Sequence, residues 1–355
     1  MDRVSRLVAE AGLKPAEAIL IHKPSNIFYL SGFTGEGLLV IAQGLRAIVT
    51  DFRYTEQAQQ QAPGWQAHNI STQLNHIRLA AKLLAEQGVG AIRFEDDHVT
   101  VKSYAAMESA FDGIPMAPLA QLPEKLRTIK DEQELALIEK ACSISCQAFD
   151  YILGYIKPGL TEKQIRLALD YQMLTLGAET IAFDTIVASG PNGSLPHAIP
   201  GDRQVQRGDL ITLDFGAKYG RYCADMTRTV ALGEPGDKLR HIYDTVLEAQ
   251  MLCQDALAPG KDCRAIDRMA RDVIAREGYG EYFGHGLGHA VGIDIHEEPR
   301  LSQTATAQLA PGMVMTVEPG IYLPGIGGVR IENSCAITQT GARSLVSAPR
   351  ELIIL

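Results

Sequence analysis

Four acidic residues, Asp214, Asp225, Glu318 and Glu332, stand where an unpaired charge is costly. Asp214 and Glu318 end the apolar runs LITLD and VMTVE, so each carboxylate is expected to enter the interior at the end of a strand. Asp225 and Glu332 lie on the strands that return, 222–230 and 328–337. Alternate side chains of a strand face the same way. Thr212 then shares a face with Asp214, Cys223 and Thr227 share one with Asp225, and Arg330 and Ser334 share one with Glu332. Four converging carboxylates repel one another unless cations sit among them, and two divalent ions would supply that compensation. For any one of the four, a helix cap or an arginine partner is the alternative.

Nine histidines occur, and four fall in or near these elements. His197 lies in LPHAIP, while His285, His289 and His296 lie in FGHGLGHAVGIDIHEEPR. A lone histidine is usually a hydrogen-bonded structural residue, but three so close together beside four acids favour a site. Four carboxylates and one imidazole suit manganese, cobalt, iron or zinc rather than calcium or a thiolate-loving ion. His289 and His296 are seven apart and would face opposite ways on one continuous strand. A turn is therefore expected between them, at Gly292.

The elements that must position these groups form a repeat. An offset of 101 residues aligns Pro158-Gly159 with Pro259-Gly260, Ile165 with Ile266 and Gly177 with Gly278. Each half reads as a helix, a Pro-Gly turn, a second helix and a glycine stop. An offset of 104 then matches Thr212 with Thr316 and Asp214 with Glu318. Architecture alone could make two such halves alike, but it does not explain acids recurring in both.

Upstream, short apolar runs at 18–22, 38–41, 47–50 and 91–94 read as strands. Segments 51–61 and 74–87 read as helices, and 23–26 and 32–35 as turns. Alternation of this kind indicates an α/β domain over residues 1–125, in which no cluster suggests chemistry. The boundary falls at about 123–130, before a long helix over 135–156 with acidic residues at its start. The second domain covers 126–355. Cys142 and Cys146, four apart on the long helix, could hold a metal but read better as two small buried hydrophobes.

Composition limits the partners. The 33 Lys and Arg against 42 Asp and Glu give a net charge of −9, which argues against nucleic-acid binding. No apolar stretch reaches the ~18 residues of a membrane span. The first residues lack a signal-peptide core, and six scattered cysteines without a CxxC pair read as reduced thiols, so a cytoplasmic protein is expected.

Taken together, LPHAIP, LDFGAKYGRYCADMTRT, GHGLGHAVGIDIHEEPR, TVEPGIY and GGVRIEN resemble the pita-bread metallopeptidases, in particular the proline peptidases prolidase and aminopeptidase P. The resemblance covers essentially the whole chain. It implies a creatinase/prolidase-like α/β N-terminal domain and an α+β pita-bread catalytic domain with an internal pseudo-two-fold repeat. It further implies two divalent ions, manganese first and cobalt or zinc as alternatives. Asp214 would chelate one ion, Asp225 and Glu332 would bridge both, and His289 and Glu318 would complete the second. His197 and His296 would face the scissile carbonyl, His285 would line the substrate site, and Arg330 would support the carboxylates. Hydrolysis would use a hydroxide held between the ions, with Glu318 passing the proton to the leaving nitrogen.

The implied substrates are short peptides with proline second, cleaved at the Xaa-Pro bond. That bond offers no N–H, so a site with an apolar wall for the ring accepts it. Phe183 and Tyr322 are candidates for the wall and equally for plain core. Arg300 suits a substrate carboxylate, as a strict Xaa-Pro dipeptidase requires, or an ion pair with Glu297 or Glu298. The intact ligand set disfavours both a non-catalytic binding protein on this scaffold and metal-free creatinase. The N-terminal domain disfavours a methionine aminopeptidase. Family likeness also implies a homodimer.

Overall fold

The apolar runs of the first third lie side by side in one mixed sheet. Its strands run in the order Gln66–Asn69, Leu45–Thr50, Leu38–Ala42, Glu17–Ile21, Ala91–Phe94 and Met116–Pro118. The computed structural model describes residues 1–355 in two compact units, Met1–Arg127 and Thr128–Leu355. In the first unit, the central strands are buried on both faces, which is why they read as unbroken apolar runs rather than alternating ones. Ala18, Leu20 and Val40 pack with Leu79, Leu83 and Leu84 of the helix His76–Glu86 and with Met107 and Phe111 of Val101–Phe111.

Two expectations for this unit need correction. Residues 23–26 do not form a free turn: Pro24 occupies the first position of the helix Pro24–Ser31, where its fixed φ suits the helix and its missing N–H costs nothing. Segment 51–61 is divided into a 3₁₀ turn, Phe52–Tyr54, and a short helix, Thr55–Gln61.

The second unit opens with the helix Glu132–Tyr155, which starts three residues earlier than its apolar periodicity indicates. Asp131 accepts from the Glu134 amide while Glu134 reaches back to the Asp131 amide, a reciprocal cap that fixes the start. Cys142 and Cys146 are buried in its core face, and all six cysteines are buried and outside any disulfide. The repeat is present in three dimensions. Helices Glu132–Tyr155 and Glu162–Thr175 recur as Asp237–Asp255 and Cys263–Arg276. Thr161 and Asp262 cap the second helix of each pair, and each makes a lone antiparallel bridge, to Gln204 and Gln308. Gly159 and Gly260 both adopt positive φ, 90° and 78°, a conformation that favours glycine at each Pro-Gly turn.

The strands carrying the acids are not the continuous pairs that alternation predicts. In the first half, Leu210–Phe215 pairs with Met226–Ala231, and the same two arms then pair again, as Ala217–Tyr219 with Tyr222–Cys223, in a different sheet. In the second half, Val314–Val317 pairs with Asn333–Ile337, and Gly320–Leu323 with Gly327–Arg330. Each hairpin thus breaks midway and changes sheets. Asp225, Glu318 and Glu332 fall in the breaks, and Asp214 lies one residue inside its strand's end. Gly216 makes the first break: a Cβ there would lie 1.8 Å from the Ala224 carbonyl oxygen, so only glycine lets the arms approach next to Asp225. No helix is long and apolar enough to cross a membrane.

Candidate metal and active site

The two hairpin breaks face one cavity of about 690 Å³, lined by Asp214, Asp225, His289, Glu318, Arg330 and Glu332. Ligand atoms of Asp225, His289 and Glu332 all lie within 4.8 Å of one another, and all three residues are buried. His289 Nε2 is 3.5 Å from Asp225 Oδ2 and 3.3 Å from Glu318 Oε1. Asp214 stands outside that inner group: its Oδ2 accepts from Arg330 Nη2 at 2.6 Å. Its Oδ1 is buried without a hydrogen-bond partner, as is Glu332 Oε1.

Burial, and then the neighbouring acids, hold the Asp225 and Glu332 carboxyls well above the ordinary range. Burial first, opposed by Arg330, pushes Glu318 up to about 8. His289 moves the other way, down to about 3, chiefly through burial. Its Nδ1 lies 3.1 Å from the Ala290 carbonyl oxygen, which assigns that nitrogen the proton of the neutral ring. Nε2 then presents a lone pair to carboxylate oxygens. A lone pair, two orphaned oxygens and four crowded acids fit a divalent cation, and the mixed nitrogen and oxygen donors fit a first-row transition ion.

Around these donors runs a hydrogen-bonded support. Thr227 Oγ1 donates to Glu332 Oε2 at 2.7 Å and accepts from Arg330 Nε at 3.2 Å. Arg330 Nη1 donates to the Tyr322 hydroxyl, which is 2.8 Å from His285 Nε2. Thr316 Oγ1 accepts from the His289 amide and donates to Glu318 Oε1. Arg228, buried, donates to the Glu332 and Thr227 carbonyls and to Asn333 Oδ1, fixing the backbone at the second break.

Of these supports, only Arg330 is read as such from sequence. Thr227 was legible as a face partner of Asp225, and Thr316 as the repeat of Thr212, the face partner of Asp214. Nothing local marks Arg228, whose partners beyond the neighbouring Thr227 carbonyl lie about a hundred residues away.

His197, His296 and Arg300 also line the cavity and are exposed to it. The His289 and His296 rings meet edge to face at 4.5 Å, although seven residues separate them. The strand Gly288–Ala290 ends and residues 292–296 bend before Glu297–Leu301 begins, so the expected reversal exists as a broad bend rather than one glycine turn. His285 lines the wall, but both its ring nitrogens are committed, to the Gly286 carbonyl and the Tyr322 hydroxyl. Burial lowers it to about 4 and keeps it neutral. Phe183 lines the cavity, whereas Tyr322 is buried with its hydroxyl in the arginine network. Arg300 lies 3.4 Å from Glu298, a solvent-exposed pair of little energetic weight that leaves the guanidinium available.

Fold and site together define a pita-bread metallopeptidase with divalent-metal chemistry. The chain belongs to metallopeptidase family M24, whose model matches residues 136–339, and a Creatinase/Prolidase N-terminal domain matches residues 3–129. The structure of a Xaa-Pro dipeptidase from Bacillus anthracis is similar with a TM-score of 0.95 and 42% identity, covering 99% of both chains. An X-Pro aminopeptidase structure from Thermotoga maritima is similar at 0.92 and 37%, covering all of both. A Xaa-Pro dipeptidase from Pyrococcus horikoshii is 36% identical, covering 99% of each.

Proposed function

We propose that the chain is a metal-dependent exopeptidase that cleaves the Xaa-Pro bond at the N-terminus of short peptides. The observation that carries this is the cavity floor, where two hairpin breaks bring four carboxylates and one neutral imidazole together below exposed histidines and an arginine. Asp214, Asp225, His289, Glu318 and Glu332 would hold two divalent ions, manganese first, with cobalt or zinc as alternatives. Bound there, such ions supply Lewis acidity and bring a water's pKa towards neutrality.

The chain's own groups do the rest. Arg330 and Thr227 orient Asp214 and Glu332 through the bonds described above. His197 and His296 stand on the open side of the cavity, where a scissile carbonyl oxygen would accept from them. Glu318 is the base: it takes a proton on its carboxylate and returns it to the leaving proline nitrogen. Phe183 offers apolar surface to the proline ring. Cytoplasmic placement fits six buried cysteines outside any disulfide, and a homodimer is proposed from family likeness alone.

A second reading, a strict Xaa-Pro dipeptidase, is favoured by Arg300, an exposed guanidinium on the cavity wall suited to the proline carboxylate. Manganese-loaded wild type and Arg300→Ala decide between them on a Xaa-Pro dipeptide and a Xaa-Pro-Xaa tripeptide. Wild-type cleavage of the dipeptide but not the tripeptide, lost in Arg300→Ala, supports the dipeptidase, and wild-type cleavage of both peptides supports the broader enzyme. Cleavage of neither by the metal-loaded wild type overturns the proline assignment.

A further inference from the structure

Lys130 and Glu297 form an ion pair of 3.0 Å whose side chains are 1% and 8% exposed. Burying two charges is costly, and apolar side chains of similar volume often fill such a space with equal or better stability. What apolar packing does not provide is a directed contact that fixes one segment against another.

The segment concerned is the bend that carries His296. Glu297 is its next residue, and the Glu297 carboxylate also accepts from the Asp294 amide across the bend. Gly292 makes room for that carboxylate: a Cβ there would lie 2.6–2.8 Å from its atoms. The other end of the pair is anchored as well. The Lys130 amide donates to the Gly312 carbonyl, two residues before the strand Val314–Val317 that leads to Glu318. On its far side the bend is held by Cys223, two residues before Asp225, through the Gly292 and Ile293 carbonyls.

We propose that the Lys130–Glu297 ion pair is a positioning device that locks the 292–297 bend and thereby fixes His296 against His289 at the cavity wall. The inference rests on the reading of His296 as a group facing the scissile carbonyl. Neither Lys130 nor Glu297 lines the cavity, so the pair acts through the histidine rather than on substrate.

The test compares Lys130→Met, and the uncharged pair Lys130→Met/Glu297→Gln, in wild-type and His296→Ala backgrounds. Manganese-loaded enzyme is assayed on Ala-Pro, with bound metal and melting temperature measured for each variant. Displacing a group by about 1 Å costs roughly 10- to 100-fold in rate. Such a loss is expected in kcat, with KM and metal content held, and it should shrink below about 2-fold once His296 is absent, because two residues acting as one unit are not additive.

Gly292→Ala, which displaces the Glu297 carboxylate without removing a charge, should copy the loss. Where Lys130→Met does not fold, the uncharged pair, which buries no lone charge, reads the same quantity. Wild-type turnover in these variants, or a loss equally large without His296, overturns the proposal. Unchanged turnover in His296→Ala itself overturns both this inference and the role given to His296, so the two failures are told apart.

Discussion

The two halves of the second unit differ by one side chain at the same step of the repeat. In the first half Ser189 faces Ile211, and in the second Ala290 faces Met315, on matching strands. His289 therefore stands where the first half has Ala188. Each half contributes two acids at its hairpin break, but only the second contributes an imidazole to the cluster, and His285, His296 and Arg300 surround it in the same stretch. The acids recur in both halves, and the histidine-rich stretch 285–296 occurs in one. On the function proposed here, the acids and His289 would hold cations, and His296 and Arg300 of the second half, with His197 of the first, would act on the substrate.

The largest effect that sharpens this division should come from His296→Ala. Loss of one hydrogen-bond donor to a developing oxyanion costs roughly 10²- to 10³-fold in kcat, and the variant should bind metal as wild type does. Steady-state kinetics with metal analysis checks it, and a variant that loses its metal would break the division. A smaller effect is expected from Thr227→Val. It removes the donor to Glu332 and the acceptor for Arg330, and supporting contacts of this kind are worth about 10- to 100-fold in metal affinity.

The smallest effect is a slope in stability with pH. Glu318 titrates at about 8 in the folded chain, and Asp225 and Glu332 are raised too, against about 4 for unfolded carboxyls. Raised acids bind more protons folded than unfolded, so their contribution is complete below about pH 4 and is lost as pH rises towards 8. His289 and His285 are lowered and act oppositely, but only below about 6.5. Between pH 6.5 and 8, chelator-treated protein should melt at steadily lower temperature, and manganese should flatten the curve. Glu95 of the first unit, pushed up to about 7 by burial, leaves a residual slope. A slope untouched by manganese would contradict the cluster's share.

Much of this was legible because a duplicated chain repeats its spacing. The Pro-Gly turns, the recurring acids and the histidine-rich stretch are local patterns, and local patterns survive in sequence. The hairpin breaks are not local. Alternation assigns a single face to Cys223, Asp225 and Thr227, yet the ladder ends on either side of Asp225 because the two arms join different sheets. The pairing of Lys130 with Glu297, 167 residues apart, has no signature either. The reciprocal cap Asp131-x-x-Glu134 was readable and gives the helix start that periodicity misplaces.

The central claim, that both hairpin breaks aim their acids at a common pair of cations, is tested by titrating chelator-stripped protein with manganese in a calorimeter. Wild type should take up about two ions per chain. Asp225→Asn and Glu332→Gln, one from each half, should each weaken binding by more than about 100-fold, beyond the loss typical of supporting contacts. No uptake by wild type, or unchanged uptake by either variant, would contradict the account.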